Sequence, residues 1–375
     1  MQGVFVAGAG MTRIGRRSEA LPELMADAAQ VALAEAGVEA PDAIVVATMN
    51  PEEFLGDGNF ASNVATHMGF ADVPCLRIET ATSSGAAAFY TGFAQVAAGL
   101  RRTVLVVGGE KMTHLATPKV SEIIGRSIDP YERAYGATMP ALAGIISRAL
   151  MSRQGTTARE IAQVAVKNHA NATRNVFAHF QQAVTVEEVL ESRMVADPLR
   201  LLHCCPISDG AAAVVLTAER GRVRVAGVGH GTDTLAVRHR RELTSFAATR
   251  AAAREAYAMA GFGPERVDVA EVHDAFAPFE LISLEDLGLL PPGKAGRATL
   301  DGDTALEGRL PVNPSGGLKA RGHPLAATGI AQLVECVWQL SGRARDRQVK
   351  SPRRALAHSI GGLATNNWVT LLEAV

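Results

Sequence analysis

Four cysteines, Cys75, Cys204, Cys205 and Cys336, are all that 375 residues contain. So few thiols exclude a disulfide scaffold. The one close pair is adjacent in sequence, a spacing that fits no zinc site, so no metal is expected. All four read as small buried hydrophobes. Charge of one sign is lacking too. The formal net charge is −1, which gives no reason to expect a nucleic-acid or acidic-membrane partner. No apolar run is long enough to span a bilayer. The opening MQGVFVAGAGMTRIG lacks a basic start followed by a long apolar stretch, so no secretory signal is expected, and a cytoplasmic protein with reduced thiols is. What remains is 47% hydrophobic and 20% charged, the composition of a globule with core enough for two or three domains.

An internal repeat organises the chain. VFVAGAG (Val4 to Gly10) returns as VRVAGVG (Val223 to Gly229). Each precedes an alanine-rich segment of helical period that ends in glycine, at Gly37 and at Gly261. An apolar strand follows each: AIVVAT from Ala43 and VDVAEV from Val267. TSSGAAAFYTGFAQVAAGL (Thr82 to Leu100) is matched by GHPLAATGIAQLVECVWQL (Gly322 to Leu340). Each runs into basic residues and a strand closing in two glycines, at Gly109 and Gly362. One βαβ-rich unit therefore occurs twice, and a pseudo-twofold axis is expected between the copies. Strands alternating with helices predict largely parallel sheets with covered faces. The boundaries predicted are 1–110 for the first half, 111–216 for an inserted, more polar region that includes a return strand, and 217–375 for the second half. Such insertions at strand ends commonly build ligand pockets.

A pseudo-twofold would bring the N-termini of the two small-residue helices together, with unpaired N–H groups and positive dipole ends. Ser83, Ser84, Gly85 and Ala86 on one, and Ala326 and Ala327 on the other, permit close packing. Thr82 starts one helix and His323 the other.

Four motifs in this order resemble the thiolase superfamily over essentially the whole chain. The likeness is to the sterol-carrier-protein-x and archaeal acetyl-CoA acetyltransferase branches. NPSGGLKARGHPLAATG (Asn313 to Gly329) is similar to the glycine-rich stretch with a catalytic GHP histidine. EVHDAFAPFELISLEDLG (Glu271 to Gly288) is similar to the HD-x-F segment. DPLRLLHCCPISDGAAAVVL is similar to the end of the substrate-capping loop region, and HSIGG (His358 to Gly362) to the C-x-G-G turn. The resemblance implies an α/β thiolase fold, two duplicated halves layered α-β-α-β-α with an inserted loop domain. It further implies an acyl-coenzyme A thioester as substrate, no covalently bound cofactor, and a homodimer with Asn63 to Thr66 near its contact. A second thiolase-like chain or a small zinc-ribbon/OB-fold protein is the alternative partner.

The departures bear on mechanism. The family pattern around the nucleophile resembles E-A-A-C-A-S-G; here it is Glu79-Thr80-Ala81-Thr82-Ser83-Ser84-Gly85, with Thr82 at the cysteine position. Ser359 falls at the cysteine of C-x-G-G, and GHP-x-G-A-T-G has become GHP-Leu325-Ala326-A-T-G. A hydroxyl lacks the neutral-range pKa of a thiol and needs a base in hydrogen-bond reach. By the resemblance, His323 stabilises an enolate or oxyanion and moves protons, against a capped helix-start histidine as the bland reading. His273 orders the oxyanion site, against a strand-end histidine paired with a carboxylate. Gly361 and Gly362 present N–H groups to a carbonyl oxygen, against a simple turn. Strand alternation lets only one of His358 and Ser359 face the pocket, and Ser359 is favoured. Lys111, Lys119, Arg126, Lys167 and Arg174 are available to coenzyme A phosphates, with no individual role assigned. Three functions stay open: carbon–carbon bond chemistry by acyl transfer, retro-aldol cleavage, and a non-catalytic subunit of a heteromer.

Overall fold

The computed structural model describes residues 2–219 and 221–375. The first unit runs β1 (Phe5–Met11), α1 (Leu21–Ala36), β2 (Ala43–Ala47), α2 (Pro51–Phe54), α3 (Phe60–His67), β3 (Cys75–Ile78), α4 (Ser84–Ala97) and β4 (Thr103–Glu110). Next come α5 (Thr117–Gly125), α6 (Pro130–Ala134), α7 (Met139–Gln154), α8 (Ala158–Ala172), α9 (Val186–Glu191) and a small pair, β5 (Met194–Ala196) with β6 (Leu199–Arg200). β7 (Gly210–Thr217) returns to the sheet. The second unit runs β8 (Val223–Thr232), α10 (Ala247–Ala260), β9 (Val269–Glu271), α11 (Ala277–Asp286), α12 (Ala295–Leu300), α13 (Leu325–Leu340), β10 (Arg354–Gly361) and β11 (Asn366–Ala374).

Among the described residues, nine strands join in the order β3-β2-β4-β7-β1-β8-β11-β10-β9. Outward from the β1–β8 junction, β1-β7-β4-β2 is mirrored by β8-β11-β10-β9. The repeat read in the sequence is thus a repeat of topology. The match reaches single contacts. A Cβ on Gly8 or Gly10 would strike the backbone of α1 at Ala32 or Ala28; one on Gly227 or Gly229 would strike α10 at Ala256 or Ala252. The struck alanines stand five and nine residues before the glycines that end the helices, Gly37 (φ 63) and Gly261 (φ 73).

The expectation of largely parallel sheets is corrected. Only β2–β3, β2–β4 and β9–β10 are parallel; the other pairs in this sheet are antiparallel. Only residues 362–365 separate β10 from β11. That is a hairpin, too short for the crossover a parallel pair needs. β7 occupies the equivalent place in the first unit and separates β1 from β4 in the same way.

Strand alternation builds the layers. Ile44, Val46, Leu105 and Val107 pack outward under α1 and α3. Val45, Ala47, Val104 and Val106 face inward, in one core with α4, α13 and inward residues of the second unit, Ala355 and Ala357. Leu356 and Leu371 face outward onto α10 and α11. The order is α-β-α-β-α, with α4 and α13 as the shared middle layer. Every residue of α13 from Leu325 to Gln339 is buried, as expected of a helix covered on all sides. Among the described residues, no helix is long and apolar enough to cross a membrane.

Candidate active site

The two middle helices start beside each other because glycine lets them. Gly85, in the first turn of α4, lies against the carbonyl oxygen of Ala326 in α13, and Gly329 lies against the N–H of Ala86. Thr82 sits just before α4. Its turn is tight: Ala81 has φ 54, left-handed for a non-glycine residue. Ser84 Oγ accepts from Thr80 N at 2.9 Å and donates to Ala81 O at 2.6 Å. Thr82 is 6% exposed, and its Oγ1 donates to the carbonyl oxygen of Ile360 at 2.7 Å.

His323 precedes α13 at the end of a glycine-rich run that makes one π-helical turn, Gly317–Arg321. This run is fastened to the H-D segment. Asp274 accepts from Leu318 N at 2.6 Å and Lys319 N at 3.2 Å. Glu271 accepts from Ser315 N and Oγ at 3.0 and 2.7 Å. Gly317, at φ 60, lies against the Asp274 carboxylate where a side chain would not fit. The two histidines are thereby held together, with rings 5.2 Å apart and nearly perpendicular.

Their hydrogen bonds assign roles. Ile360 N donates to His273 Nδ1 at 3.2 Å. That nitrogen is therefore the acceptor, and the neutral ring carries its proton on Nε2. His323 Nδ1 pairs with the Thr328 hydroxyl at 2.7 Å, leaving its Nε2 free. Both rings line one cavity together with Thr82, Ile360 and Gly362. Burial, aided by Arg321, pushes His323 down to about 3. Burial, then the charges of His323, His358 and Arg321, holds His273 well below its ordinary value. Near neutral pH the site presents two uncharged imidazoles, one a fixed Nε2–H donor.

The structure brings Thr82, His273, His323 and Gly362 to this cavity but not Ser359 or Gly361. Ser359 is buried with its Oγ unpartnered and turned to the middle layer, against Gly329. His358, on the other face of β10, bonds Thr249 on α10 at 3.1 Å. Neither faces the cavity, because β10 ends in a turn whose lining comes from Ile360 and Gly362. Gly361 is still paired with Asn366 in the sheet. The residue unforeseen in the sequence is Ile360, whose N–H orients His273 and whose C=O holds Thr82. Its role lies in its backbone, which no side-chain pattern signals.

The cavity holds about 260 Å3. Met112, Ile124, Met139, Phe276, Phe279 and Leu363 give it an apolar outer wall. Cys204 and Cys205 line it as well, so these two are not merely core residues. Burial raises their thiols to about 11 and about 12, which leaves them protonated and poor nucleophiles. The five basic residues singled out from the inserted region all have acidic partners. These are Lys111 with Asp209, Lys119 with Glu122, Arg126 with Glu53, Lys167 with Glu280 and Arg174 with Glu307. Lys167 is buried in its pair.

The buried imidazoles make stability depend on pH. Burial pushes His323 and His358 to about 3, and His169 and His203 to about 4. Below the ordinary 6.5 the unfolded chain takes up protons that the folded chain refuses, so these groups lose stability as pH falls. Glu110 and Glu271, raised by burial to about 7, act oppositely. Their folded forms hold protons above the ordinary 4.5, so they add stability as pH falls toward 4.5, and nothing further below it. Unfolding free energies from urea titration are expected to fall as pH drops below 6.5, the four imidazoles outweighing the two carboxyls, and more steeply once the carboxyls stop contributing near pH 4.5, by up to about 1.4 kcal/mol per pH unit per imidazole. A flat profile between pH 6.5 and 4 would contradict these burial states.

Comparison with known proteins now decides the family. The thiolase N-terminal domain family matches residues 4–220, and the thiolase C-terminal domain-like family matches residues 229–374. The chain belongs to the thiolase superfamily. It is 42% identical to the acetyl-CoA acetyltransferase of Methanothermobacter thermautotrophicus over 372 residues, 96% of this chain and 97% of that one. It is 33% identical to the benzoylsuccinyl-CoA thiolase subunit BbsB of Thauera aromatica, over 96% of this chain and 94% of that one. Among solved structures, the Ltp2-ChsH2(DUF35) aldolase superposes with TM-score 0.86 at 23% identity, covering 99% of this chain and 98% of that chain. At that identity the likeness speaks for the fold alone. The thiolase fold expected from the motifs is the fold observed.

Proposed function

We propose that this thiolase-superfamily chain makes or breaks a carbon–carbon bond next to the carbonyl of an acyl-coenzyme A thioester, through an enolate and without an acyl-enzyme on Thr82. One observation carries the reading. The Thr82 proton is given to a carbonyl oxygen, Ile360 O, and not to either imidazole, so the hydroxyl has no base to activate it. The two imidazoles suit enolate chemistry. His323 Nε2 takes the α-proton, the electron pair moves onto the thioester oxygen, and the His273 Nε2–H donates to that oxygen. In the cleavage direction the same oxygen receives the pair from the breaking carbon–carbon bond. The β-carbon leaves either bonded to the thiol sulfur of free coenzyme A that has added to its carbonyl or, from a β-hydroxyacyl thioester, as an aldehyde or ketone once His323 Nε2 takes the hydroxyl proton. The names of the relatives, an acetyltransferase and a thiolase subunit acting on coenzyme A esters, support the substrate class.

The test is exchange at the α-carbon. An acyl-CoA incubated with the protein in D2O is expected to gain deuterium by NMR, while the intact protein mass stays unchanged. Thr82→Val is expected to keep exchange within about tenfold. Thr82→Cys is expected to acquire an acyl adduct, because a thiol at this helix start ionises far more readily than a hydroxyl. An adduct mapped to Thr82 in the unsubstituted protein would sink the reading, as would absence of exchange with every acyl-CoA tried.

A second reading, retro-aldol cleavage of a β-hydroxyacyl thioester, is favoured by the same proton on Ile360 O, since that reaction needs no nucleophile. Release of an aldehyde or ketone from a β-hydroxyacyl-CoA, with no thiolysis of the matching β-ketoacyl-CoA by free coenzyme A, would select it.

A further inference from the structure

We propose that the loop after β1 carries a second site, a pocket for a phosphate-class anion, behind the backbone that presents His323. The pocket holds about 230 Å3 and is lined by Arg13, Ile14, Gly15, Arg16, Arg17 and His179. No acidic residue lines it. Arg17 is paired with Glu19. Arg13 and Arg16 have no carboxylate within 4 Å among the described residues, in contrast to the paired basic residues of the inserted region.

Lys319 does not line the pocket but lies near enough to act on the charge of His179. It is 1% exposed, sits 5.4 Å from the Phe180 ring centroid, and likewise has no carboxylate within 4 Å among the described residues. Burial, then Lys319 and Arg13, pushes His179 toward its neutral form, with Asp209 opposing. Asp209 does not cancel the cluster. It already accepts from Lys111 Nζ, from the backbone N–H groups of Arg17, Met112 and Thr113, and from the Thr113 hydroxyl. Two unpaired guanidiniums lining one concavity, with a buried cation acting on its histidine, are complementary to a compact polyanion. Guanidinium forks match phosphate oxygens in particular.

The pocket is joined to the catalytic machinery. His179 Nδ1 bonds Ser208 Oγ at 3.0 Å, and the same oxygen accepts His323 N–H at 3.3 Å while donating to Pro206 O. His179 N donates to Arg321 O at 2.9 Å. Gly322, at φ 109, lies against Ile14, Ser208 and His179, leaving no room for a side chain. Ile207 and His323 face the catalytic cavity, and the residues adjacent to them in sequence, Ser208 and Gly322, touch the pocket's lining residues His179 and Ile14. An occupant that fixes His179 would therefore fix the segment carrying His323. The phosphoryl group has two sources: the phosphates of a coenzyme A substrate, or a free phosphate. Only the first source rests on the function proposed above.

The experiment uses Arg13→Gln/Arg16→Gln, both positions being exposed and the fold being checked by the urea midpoint. Inorganic phosphate is titrated by calorimetry at constant ionic strength, without turnover, so that failure of the enzymatic reading leaves this result intact. Saturable binding is expected for the unsubstituted protein, and binding weaker by about tenfold or more for the variant, the loss of one to two charge-assisted contacts. The arms are coenzyme A and 3′-dephospho-coenzyme A. If the substrate phosphate is the ligand, the variant binds both alike while the unsubstituted protein prefers the first. If free phosphate is the ligand, both proteins bind the two compounds alike and only phosphate affinity falls. Either outcome supports the pocket. No saturable phosphate binding, or equal binding by the variant, overturns it.

Discussion

His323→Ala is expected to lower α-carbon exchange by about 10²–10⁴-fold, the usual worth of a positioned proton-transfer group. The fold has little need of this ring. Its backbone N–H stays on Ser208, and α13 is held by burial along its whole length. The ring's one side-chain bond is to Thr328, so the variant leaves a single buried hydroxyl unpaired, at a cost of about 1–3 kcal/mol. A large loss of exchange with a urea stability lowered by no more than that amount is thus the expected pair of results. A small change in exchange would mean that another group takes the α-proton. The sign of the pH dependence follows from the same burial. Because His323 is pushed to about 3, exchange by the unsubstituted protein is expected to show no inflection near pH 6.5 from this group.

Gly85→Ala is expected to be strongly destabilising for a single added methyl. The added carbon would overlap the carbonyl oxygen of Ala326 and crowd Ile330. Neither can retreat, because Ala326 and Ile330 are fully buried. Overpacking of a rigid core costs about 1–3 kcal/mol, more when backbone must move, and here the backbone is what is struck. The change is expected to lower the urea stability by at least about 3 kcal/mol and to separate Thr82 from His323. Gly125→Ala is the comparison, since a Cβ there meets nothing; its stability is expected to be unchanged or slightly raised. Equal effects from the two changes would contradict the close helix approach.

Much of this was legible in the residues, for identifiable reasons. The paired glycines of β1 and β8 and the terminal glycines of α1 and α10 mark places where only hydrogen fits, so the duplication left a trace in spacing. The meeting of Thr82 and His323 followed from that duplication. Strand direction does not, because nothing in the composition of residues 362–365 marks them as a hairpin loop. Ser359 is favoured by its place in a motif. Yet a strand end can hand its role to the next backbone groups, and Ile360 does so with N–H and C=O. Cys204 and Cys205 looked like core residues because nothing local reveals that Phe276 and the HD segment cross beside them. The arginines after β1 carry no local signal, since their lack of acidic partners exists only in three dimensions.

Ile360 lies near the end of β10, where the chain enters its closing hairpin, and both Thr82 and His273 depend on it. During synthesis the first of these residues leaves the ribosome nearly three hundred positions ahead of its hydrogen-bond acceptor. Until the closing hairpin docks, the threonine hydroxyl has no carbonyl to bind and the imidazole no N–H to set its tautomer. The cavity's hydrogen-bonded arrangement is consequently a late event in the life of each molecule. A nascent or C-terminally trimmed chain would carry Thr82, His273 and His323 without the backbone groups that orient the first two.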